Sequence, residues 1–160
     1  MADAVRFDQF DQEWTDRVLG KRSRSGIDGY LGIVITECTA GRLVAGFEVT
    51  AEVVTIMGNV HGGCVSALVD HVLGMVMYPV MPPGSWAATT EFKINLLAPV
   101  TAGRVEATGT IVAMSRRLAV VRIDVETITV GTVGTDGEEP KRRLVAVAQG
   151  TSTIVAPKPG

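Results

Sequence analysis

Two adjacent glycines and one acidic residue, set in an apolar stretch, are the residues of this chain best suited to chemistry. Residues 58–70 read GNVHGGCVSALVD. At a helix N-terminus the backbone N–H groups lack intrahelical partners, and the helix dipole is positive there. Glycine lets a ligand approach such donors closely, which suits a carbonyl oxygen that becomes negatively charged. The alternative is that Gly62 and Gly63 only provide a tight entry into a crowded helix.

Asp70 lies inside the predicted apolar helix that follows these glycines. Burying an ionised carboxylate without a partner is costly, and a helix interior does not favour Asp. We therefore consider it a candidate general base or nucleophile, the alternative being a structural ion pair with His71 or an arginine. His71 points about 100° away around the helix, so we do not expect a Cys/His/Asp arrangement with Cys64, which is interpreted as a small core residue.

The spacing of these residues has a consequence for the assembly. Gly62 and Asp70 are eight residues apart in the sequence, which places them about 12 Å apart along a helix. One carbonyl group cannot contact both residues of the same chain. If both act on one substrate, the site must combine two copies of the helix, and the sequence then predicts a dimer with its active sites at the interface.

The elements that would position these residues follow from hydrophobic periodicity. The segment 61–78 is long and apolar on nearly every face, which predicts a helix wrapped by other structure. Strand-like alternation is clearest over 118–130, where charged and aliphatic residues alternate. The predicted elements are a helix over 7–19, a hairpin of strands over 30–39 and 42–53, the helix over 61–78, and strands over 86–97, 104–114, 118–130 and 142–155, with a polar loop over 131–141 and a tail over 156–160. Strands around one segregated helix indicate an α+β fold with an antiparallel sheet.

Composition excludes several classes of protein. The 160 residues are 46% hydrophobic and 20% charged with a net charge of −2, which predicts one globular domain and gives no reason to expect nucleic-acid binding. Two cysteines are too few for a disulfide framework and lack metal-ligand spacing. No secretory signal is apparent, and the apolar stretch over 60–83 is interrupted by charge and by prolines. We expect a cytoplasmic protein without metal or cofactor.

The motif around His61 is similar to that of a known superfamily. The His-Gly-Gly start with an acid nine residues after the His, the run TTEFKINLLAP over 89–99, and the final strand over 144–155 resemble the hotdog-fold thioesterases, in particular the phenylacetate-pathway and 4-hydroxybenzoyl-CoA types. The resemblance implies a hotdog domain over 28–156, after an N-terminal helix and linker over 1–27 and before a tail over 157–160. It also implies hydrolysis of acyl-CoA to CoA and a carboxylic acid, by homodimers that commonly pair into tetramers.

The resemblance further implies catalytic roles for individual residues. The Gly62 N–H would polarise the thioester carbonyl, and Asp70 of the partner subunit would act as general base or nucleophile. Thr89 would position the attacking water, while His61 would orient the loop and help to hold the carbonyl end of the substrate.

Further positions are implied as substrate contacts. Asn59, Gly63 and Thr90 would border the substrate, and the turn Ser115-Arg116-Arg117 would meet its nucleotide phosphates, since guanidinium groups suit phosphate. The alternative for the two arginines is that they are solvated charges of a turn. The aliphatic character of the helix favours an aliphatic acyl group, as in fatty acid metabolism.

One position departs from the pattern of the superfamily. Relatives commonly carry Asn or Gln six residues before the His, and Thr55 stands there in this chain. Its hydroxyl is shorter, and Asn59 could take over the role of the amide. The alternatives to a thioesterase are therefore a noncatalytic acyl-CoA-binding hotdog domain and, on the same fold, a hydratase or dehydratase.

Overall fold

The computed structural model describes residues 5–22, 25–129 and 140–157. Three α-helices and six β-strands make up the described chain. Their bounds are α1 Gln12–Val18, α2 Gly26–Leu31, β1 Val34–Thr39, β2 Arg42–Glu48, α3 Gly62–Met75, β3 Trp86–Leu96, β4 Arg104–Met114, β5 Leu118–Thr129 and β6 Lys141–Val155. A short 3-10 turn, Ala51–Val53, precedes the loop that leads to α3.

All six strands form one antiparallel sheet in the order β1-β2-β4-β5-β6-β3. Along β5, buried residues alternate with more exposed ones, as expected for a sheet with one face on the core. The strand β3 follows α3 in sequence but lies at the sheet edge, where β6 is its only partner within the described residues. The predicted α+β fold, a curved antiparallel sheet with a long helix against it, is confirmed.

The helix α3 packs its apolar side against the inner face of the sheet. Its buried residues are Val65, Leu68, Val69, Val72 and Leu73. Fully burying such a side chain stabilises the fold by roughly 1.5–3 kcal/mol. Glycines in the sheet let the helix approach closely: a Cβ on Gly109 would lie 2.5 Å from Val72 Cγ1, and one on Gly150 would lie 2.7 Å from Leu73 Cδ2.

One face of α3 is not covered by other elements of the single chain. Gly63 and Asp70 are exposed, and Ala67 and Gly74, which continue the same stripe, are half-buried. These four positions are spaced by four, three and four residues, so they share one face of the helix. The sequence could not reveal this face because its small residues count as apolar in the same way as core residues.

Two N-terminal elements differ from their predicted bounds. The first helix begins at Gln12 and not at residue 7, since the Asp11 carboxylate accepts a hydrogen bond from the Trp14 N–H at 2.8 Å and caps the helix there. Tyr30, predicted at the start of a strand, lies in α2, and β1 begins at Val34. Residues 131–139 of the predicted loop over 131–141 lie outside the described residues. Residues 1–4, 23–24 and 158–160, which belong to the predicted termini and linker, also lie outside them.

A chain of ion pairs crosses the outer face of the sheet. The Arg142 guanidinium contacts Glu106 Oε1 at 2.5 Å and Glu126 Oε2 at 2.8 Å, and Arg104 contacts both Glu106 and Glu48. Hydrogen bonds first to Glu106 and then to Glu126 raise the pKa of Arg142. The Glu106 side chain is only 12% exposed, so this network is less screened by water than an isolated surface pair.

Replacing Arg142 with Ala should lower the free energy of unfolding by about 1 kcal/mol, the upper range for exposed ion pairs. The reason is that Glu106 and Glu126 lose the guanidinium that lies between them. Urea unfolding at low and high salt measures the effect, which should shrink as salt rises. Arg122→Ala, which removes one exposed pair with Asp124, is the matched control. An equal loss in the two variants would contradict the network.

Helices of the described segments are too short or too polar to cross a lipid bilayer.

Candidate active site

One backbone donor at the start of α3 is free. The His61 side chain caps the helix, its Nδ1 accepting a hydrogen bond from the Gly63 N–H at 2.8 Å. The N–H groups of Cys64 and Val65 donate to the His61 carbonyl oxygen. Gly62, the first helical residue, has no acceptor for its N–H among the described residues. Because the helix dipole is positive at this end, the free N–H is a ready donor for an oxygen that gains negative charge.

The cap also assigns a tautomer to His61. Since Nδ1 accepts a hydrogen bond, the proton of the neutral ring lies on Nε2. The imidazole therefore contacts the glycine loop through the Gly63 N–H. Gly63 uses its N–H in this cap and is not a second free donor.

Gly62 borders a cavity of about 290 Å³. Of the expected substrate contacts, only Asn59 shares its lining with Gly62. Most of the remaining wall is apolar and comes from the loop before α3, from the end of β3 and from β6. The lining residues are Asn59, Val60, Gly62, Val65, Leu96, Leu97, Ala98, Pro99, Val100 and Val145.

The absence of a side chain at position 62 keeps this cavity open. A Cβ there would lie 2.8 Å from Leu96 Cδ1, so that any larger residue would displace the Leu96 side chain. Leu96 and Leu97 are 57% and 54% exposed, unusual for leucines at the end of a strand. Sequence reasoning identified the segment over 89–99 but did not place these two leucines beside Gly62, because their proximity depends on the curvature of the sheet.

The Thr55 hydroxyl forms hydrogen bonds within the loop before α3, and Thr55 does not line the cavity. Thr55 Oγ1 is hydrogen-bonded to Asn59 Oδ1 at 3.2 Å and accepts from the Met57 N–H at 3.2 Å. The Thr55 N–H also donates to the Asn59 carbonyl oxygen at 2.7 Å. The amide group that borders the cavity is therefore that of Asn59, and Thr55 acts on it by fixing the Asn59 side chain.

Asp70 is exposed in the single chain, which corrects the expectation of a buried carboxylate. It has no ion-pair partner within the described residues. His71, one of the partners considered for it, instead places Nδ1 3.2 Å from Asp28 Oδ2 and ties α2 to α3. The structural alternative for Asp70, an ion pair that stabilises the fold, thus has no support in these contacts.

Cys64 is half-buried next to the glycine loop. Burial raises the pKa of its thiol, so the thiolate needed for nucleophilic attack is disfavoured at neutral pH. This agrees with its interpretation as a small packing residue.

Thr89 and Thr90 lie near the start of β3, at the opposite end from Gly62. Seven residues of strand separate Thr89 from Leu96, which contacts the Gly62 position, and this corresponds to roughly 20 Å. Thr90 Oγ1 donates to the Thr151 carbonyl at 2.8 Å across a shift of the strand register. A single chain therefore does not bring either threonine to the cavity at Gly62.

Ser115, Arg116 and Arg117 form the turn between β4 and β5. The Ser115 hydroxyl accepts hydrogen bonds from the N–H groups of Arg117 and Leu118, both at 3.3 Å, and so shapes the turn. Both arginine side chains are exposed. This turn lies far along the sheet from Gly62, so one chain does not bring it to the cavity.

Comparison with known proteins relates part of this chain to one protein family. The model of the Thioesterase superfamily matches residues 57–133 of the chain. This range begins just before the glycine loop and includes α3 and the strands β3, β4 and β5. Comparison of the sequence with curated proteins gave no match.

Among three similar solved structures, two carry thioesterase names. A thioesterase from Haemophilus influenzae is 25% identical, with 79% of this chain and 80% of that chain covered and a TM-score of 0.66. A thioesterase family protein from Silicibacter pomeroyi is 25% identical over 83% of this chain and 91% of its own, with a TM-score of 0.71. A mutant of the phenylacetic acid degradation protein from Thermus thermophilus is 28% identical over 78% and 94%, with a TM-score of 0.62. The chain is thus similar to the Thioesterase superfamily over residues 57–133 and shares the fold of these solved structures.

Proposed function

We propose that this protein is an acyl-CoA thioesterase, which hydrolyses a thioester to free CoA and a carboxylic acid. The observation that carries the proposal is the free N–H of Gly62 at the start of α3, a residue that lines a cavity with mainly apolar walls. Such a cavity accommodates an acyl group, while the helix N-terminus stabilises the oxyanion of a tetrahedral intermediate. The similarity to the Thioesterase superfamily over residues 57–133 supports the same reaction class.

In this mechanism, Asp70 of the partner subunit activates the nucleophile. As a general base, its carboxylate takes a proton from water while the water oxygen attacks the thioester carbon. The carbonyl oxygen becomes an oxyanion that accepts a hydrogen bond from the Gly62 N–H. Collapse of the intermediate breaks the C–S bond, and the thiolate of CoA leaves and is protonated. As a nucleophile, the carboxylate would instead attack the thioester carbon and displace the CoA thiolate, and water would then hydrolyse the resulting acyl anhydride.

The roles of the neighbouring polar residues follow from their contacts. Asn59, held by the Thr55 hydroxyl, is the side-chain amide available to the substrate carbonyl or to the water. The departure at position 55 is thus compensated four residues later, which favours catalysis over the noncatalytic acyl-CoA-binding alternative. Thr89, on β3 of the partner, would position the water next to Asp70 of the partner subunit.

A homodimer is required because Gly62 and Asp70 of one chain cannot meet on one carbonyl. Two features support pairing through β3 and α3. The strand β3 is 11 residues long, and its outer edge is unpaired within the described chain, which makes it a template for another strand. The exposed face of α3 carries small residues around Asp70, and such residues permit close approach of a second helix. Association of these dimers into tetramers is part of the proposal by resemblance alone.

Thiol release from a panel of short, medium, long and aromatic acyl-CoAs tests the proposed reaction. We expect turnover that depends on the acyl group, with preference for aliphatic chains. Binding of acyl-CoA without thiol release above background would reject the thioesterase and favour the noncatalytic alternative.

Replacing Gly62 with Val should lower kcat about tenfold, since a Cβ and its methyl groups displace Leu96 and keep the carbonyl away from the backbone donor. The affinity for the substrate should change much less, because the lost interaction strengthens only as the oxyanion forms. Steady-state kinetics together with direct binding measurements separate the two effects.

The control is Cys64→Val, which places the same side chain two residues later and outside the cavity, and which also removes the thiol. Its kcat should stay within about twofold of wild type, because the residue is a packing residue. Equal losses of kcat and affinity in Gly62→Val would argue against a transition-state role for the glycine.

A further inference from the structure

One polar side chain of the sheet is fully buried and has no hydrogen-bond partner. Ser152, on β6, has an exposed fraction of 0%, and its hydroxyl meets no donor or acceptor within the described residues. It faces the core in line with Gly150 and Ile154, which are also buried. Burying a hydroxyl without a hydrogen bond costs free energy, so this hydroxyl requires a physical reason.

The strand register identifies the group that this hydroxyl can reach. Ser152 is the cross-strand partner of Ala119 on β5 and of Thr89 on β3. Ala119 has no polar side-chain atom, whereas Thr89 has a hydroxyl without a hydrogen bond to the described residues. Residues directly opposite each other in an antiparallel pair have Cβ atoms about 4.5–5.5 Å apart, and Ser–Thr hydrogen bonds form across such pairs. Rotation about the two Cα–Cβ bonds therefore brings the two oxygens within hydrogen-bond distance.

An irregularity of β3 turns Thr89 to the same face of the sheet as Ser152. Phe92 packs against the core, and strict alternation from there would turn residue 90, not residue 89, to the core. The register of β3 with β6 shifts after Thr89, which makes Thr90 an extra residue without a cross-strand partner. Such bulges re-aim side chains and are frequent beside active sites. Thr89 therefore faces the side of the sheet that carries α3.

We infer that Ser152 fixes the Thr89 hydroxyl by a hydrogen bond and is, through Thr89, a positioning residue for the attacking water. The inference rests on the proposed function, in which Thr89 and Asp70 of one subunit hold this water at Gly62 of the other. The Ser152 O–H donates to Thr89 Oγ1. Because that oxygen then accepts from inside the sheet, the Thr89 O–H points away from the core and donates to the water oxygen, while Asp70 takes a proton from the same water.

The buried location gives this contact an effect that a surface hydroxyl would not have. Ser152 is closed off from water, so no solvent molecule competes for its proton, and a hydrogen bond is stronger in such surroundings. Thr89 is exposed at the edge of the sheet, where its side chain would otherwise rotate among staggered conformations. The donor at Ser152 selects one of them, so the water is held in one orientation before the reaction starts.

A double-mutant cycle of Ser152→Ala and Thr89→Ala, measured on the full chain by steady-state thiol release, tests the inference. Ser152→Ala should lower kcat about fivefold, as for one lost hydrogen bond, with KM nearly unchanged. Its melting temperature should stay within about 2 °C of wild type, since the lost hydrogen bond and the removal of a buried hydroxyl oppose each other. Thr89→Ala should lower kcat about tenfold, and adding Ser152→Ala to it should change kcat by less than about twofold.

Ser85→Ala is the matched control. The Ser85 hydroxyl is also buried and without a hydrogen-bond partner in the described chain, but Ser85 precedes β3 and is not paired with Thr89. Its kcat should remain within about twofold of wild type, as expected for a substitution away from the reacting groups.

The conformation of Thr89 about its Cα–Cβ bond provides a test that does not require turnover. NMR couplings of the threonine methyl group report this angle in the full chain. One staggered conformation should dominate in the wild type, and several should interconvert in Ser152→Ala.

Three outcomes would overturn the inference. They are additive losses of kcat in the double variant, a loss in the control as large as that in Ser152→Ala, or the same Thr89 conformations in wild type and in Ser152→Ala. If acyl-CoA is still hydrolysed in those cases, the proposed function stands without this contact. If no acyl-CoA is hydrolysed but the couplings change as expected, the hydrogen bond between Ser152 and Thr89 is supported and only the proposed function fails.

Discussion

Asp70→Asn is expected to lower thioester turnover at least about 100-fold, the effect of removing a general base, while the chain stays folded. The amide has nearly the shape of the carboxylate but cannot accept a proton from water or attack the carbonyl carbon. The fold should tolerate the change because Asp70 is exposed and has no ion-pair partner in the described chain. Thiol release measures turnover, and thermal unfolding and light scattering report fold and assembly.

If the variant unfolds or fails to assemble, Asp70 has a structural role and the catalytic assignment is wrong. Asp16→Asn is a matched control, since Asp16 is an exposed carboxylate on α1 that the mechanism does not use. Its turnover should remain within about twofold of wild type, as expected for a surface substitution away from the reacting groups.

Mixing two defective chains tests whether the site combines Gly62 of one subunit with Asp70 of the other. A heterodimer of Asp70→Asn and Gly62→Val chains has one site with both residues intact and one site with both replaced. After unfolding and refolding together, random pairing in a twofold-symmetric dimer should restore about a quarter of wild-type activity. A site built within one chain would give only the mean of the two parents, so that result would reject the shared site.

Gly150→Ala is expected to lower the free energy of unfolding by about 2 kcal/mol, a typical cost of overpacking a filled core. A Cβ at this position would lie 2.6 Å from Phe92 Cβ and 2.7 Å from the Glu91 carbonyl oxygen. Because one of these contacts is with the backbone of β3, rotation of a side chain cannot relieve it. Urea denaturation measures the loss.

Gln149→Ala is the appropriate control for this substitution. Gln149 is adjacent to Gly150 but lies exposed on the other face of β6, so its replacement should change stability by less than about 0.5 kcal/mol. If both variants were equally stable, the packing of β6, β3 and α3 around Gly150 would have room for a methyl group, and the prediction would be wrong.

Local patterns predicted much of this fold because they reflect local forces. The alternation along β5 and the long apolar run of α3 are predictable because each depends only on how that single element packs against the core. Tyr30 was misassigned because α2 has only six residues. A helix this short is marginal on its own and depends on contacts such as that between Asp28 and His71.

The candidate site was predictable only in part. The glycine loop and Asp70 are visible in the sequence because both break the pattern around them. That Asp70 lies on an exposed face of α3 was not visible, since a surface that fits a partner has the same apolar composition as a core. The proximity of Leu96 to Gly62 and the pairing of Thr89 with Ser152 arise from tertiary structure, which residue spacing does not encode.

The sheet order has a consequence for the way the chain acquires its structure during synthesis. The strand β3 has β6 as its partner, and β6 is the last of these six strands to be synthesised. Until residues 141–155 have emerged, β3 cannot enter the sheet and the side of the core that it covers stays open to water. Folding of this domain is therefore completed only after β6 is synthesised, and long-range pairing of this kind is slow. A chain that stalls before β6 would expose the segment most prone to pair with other copies.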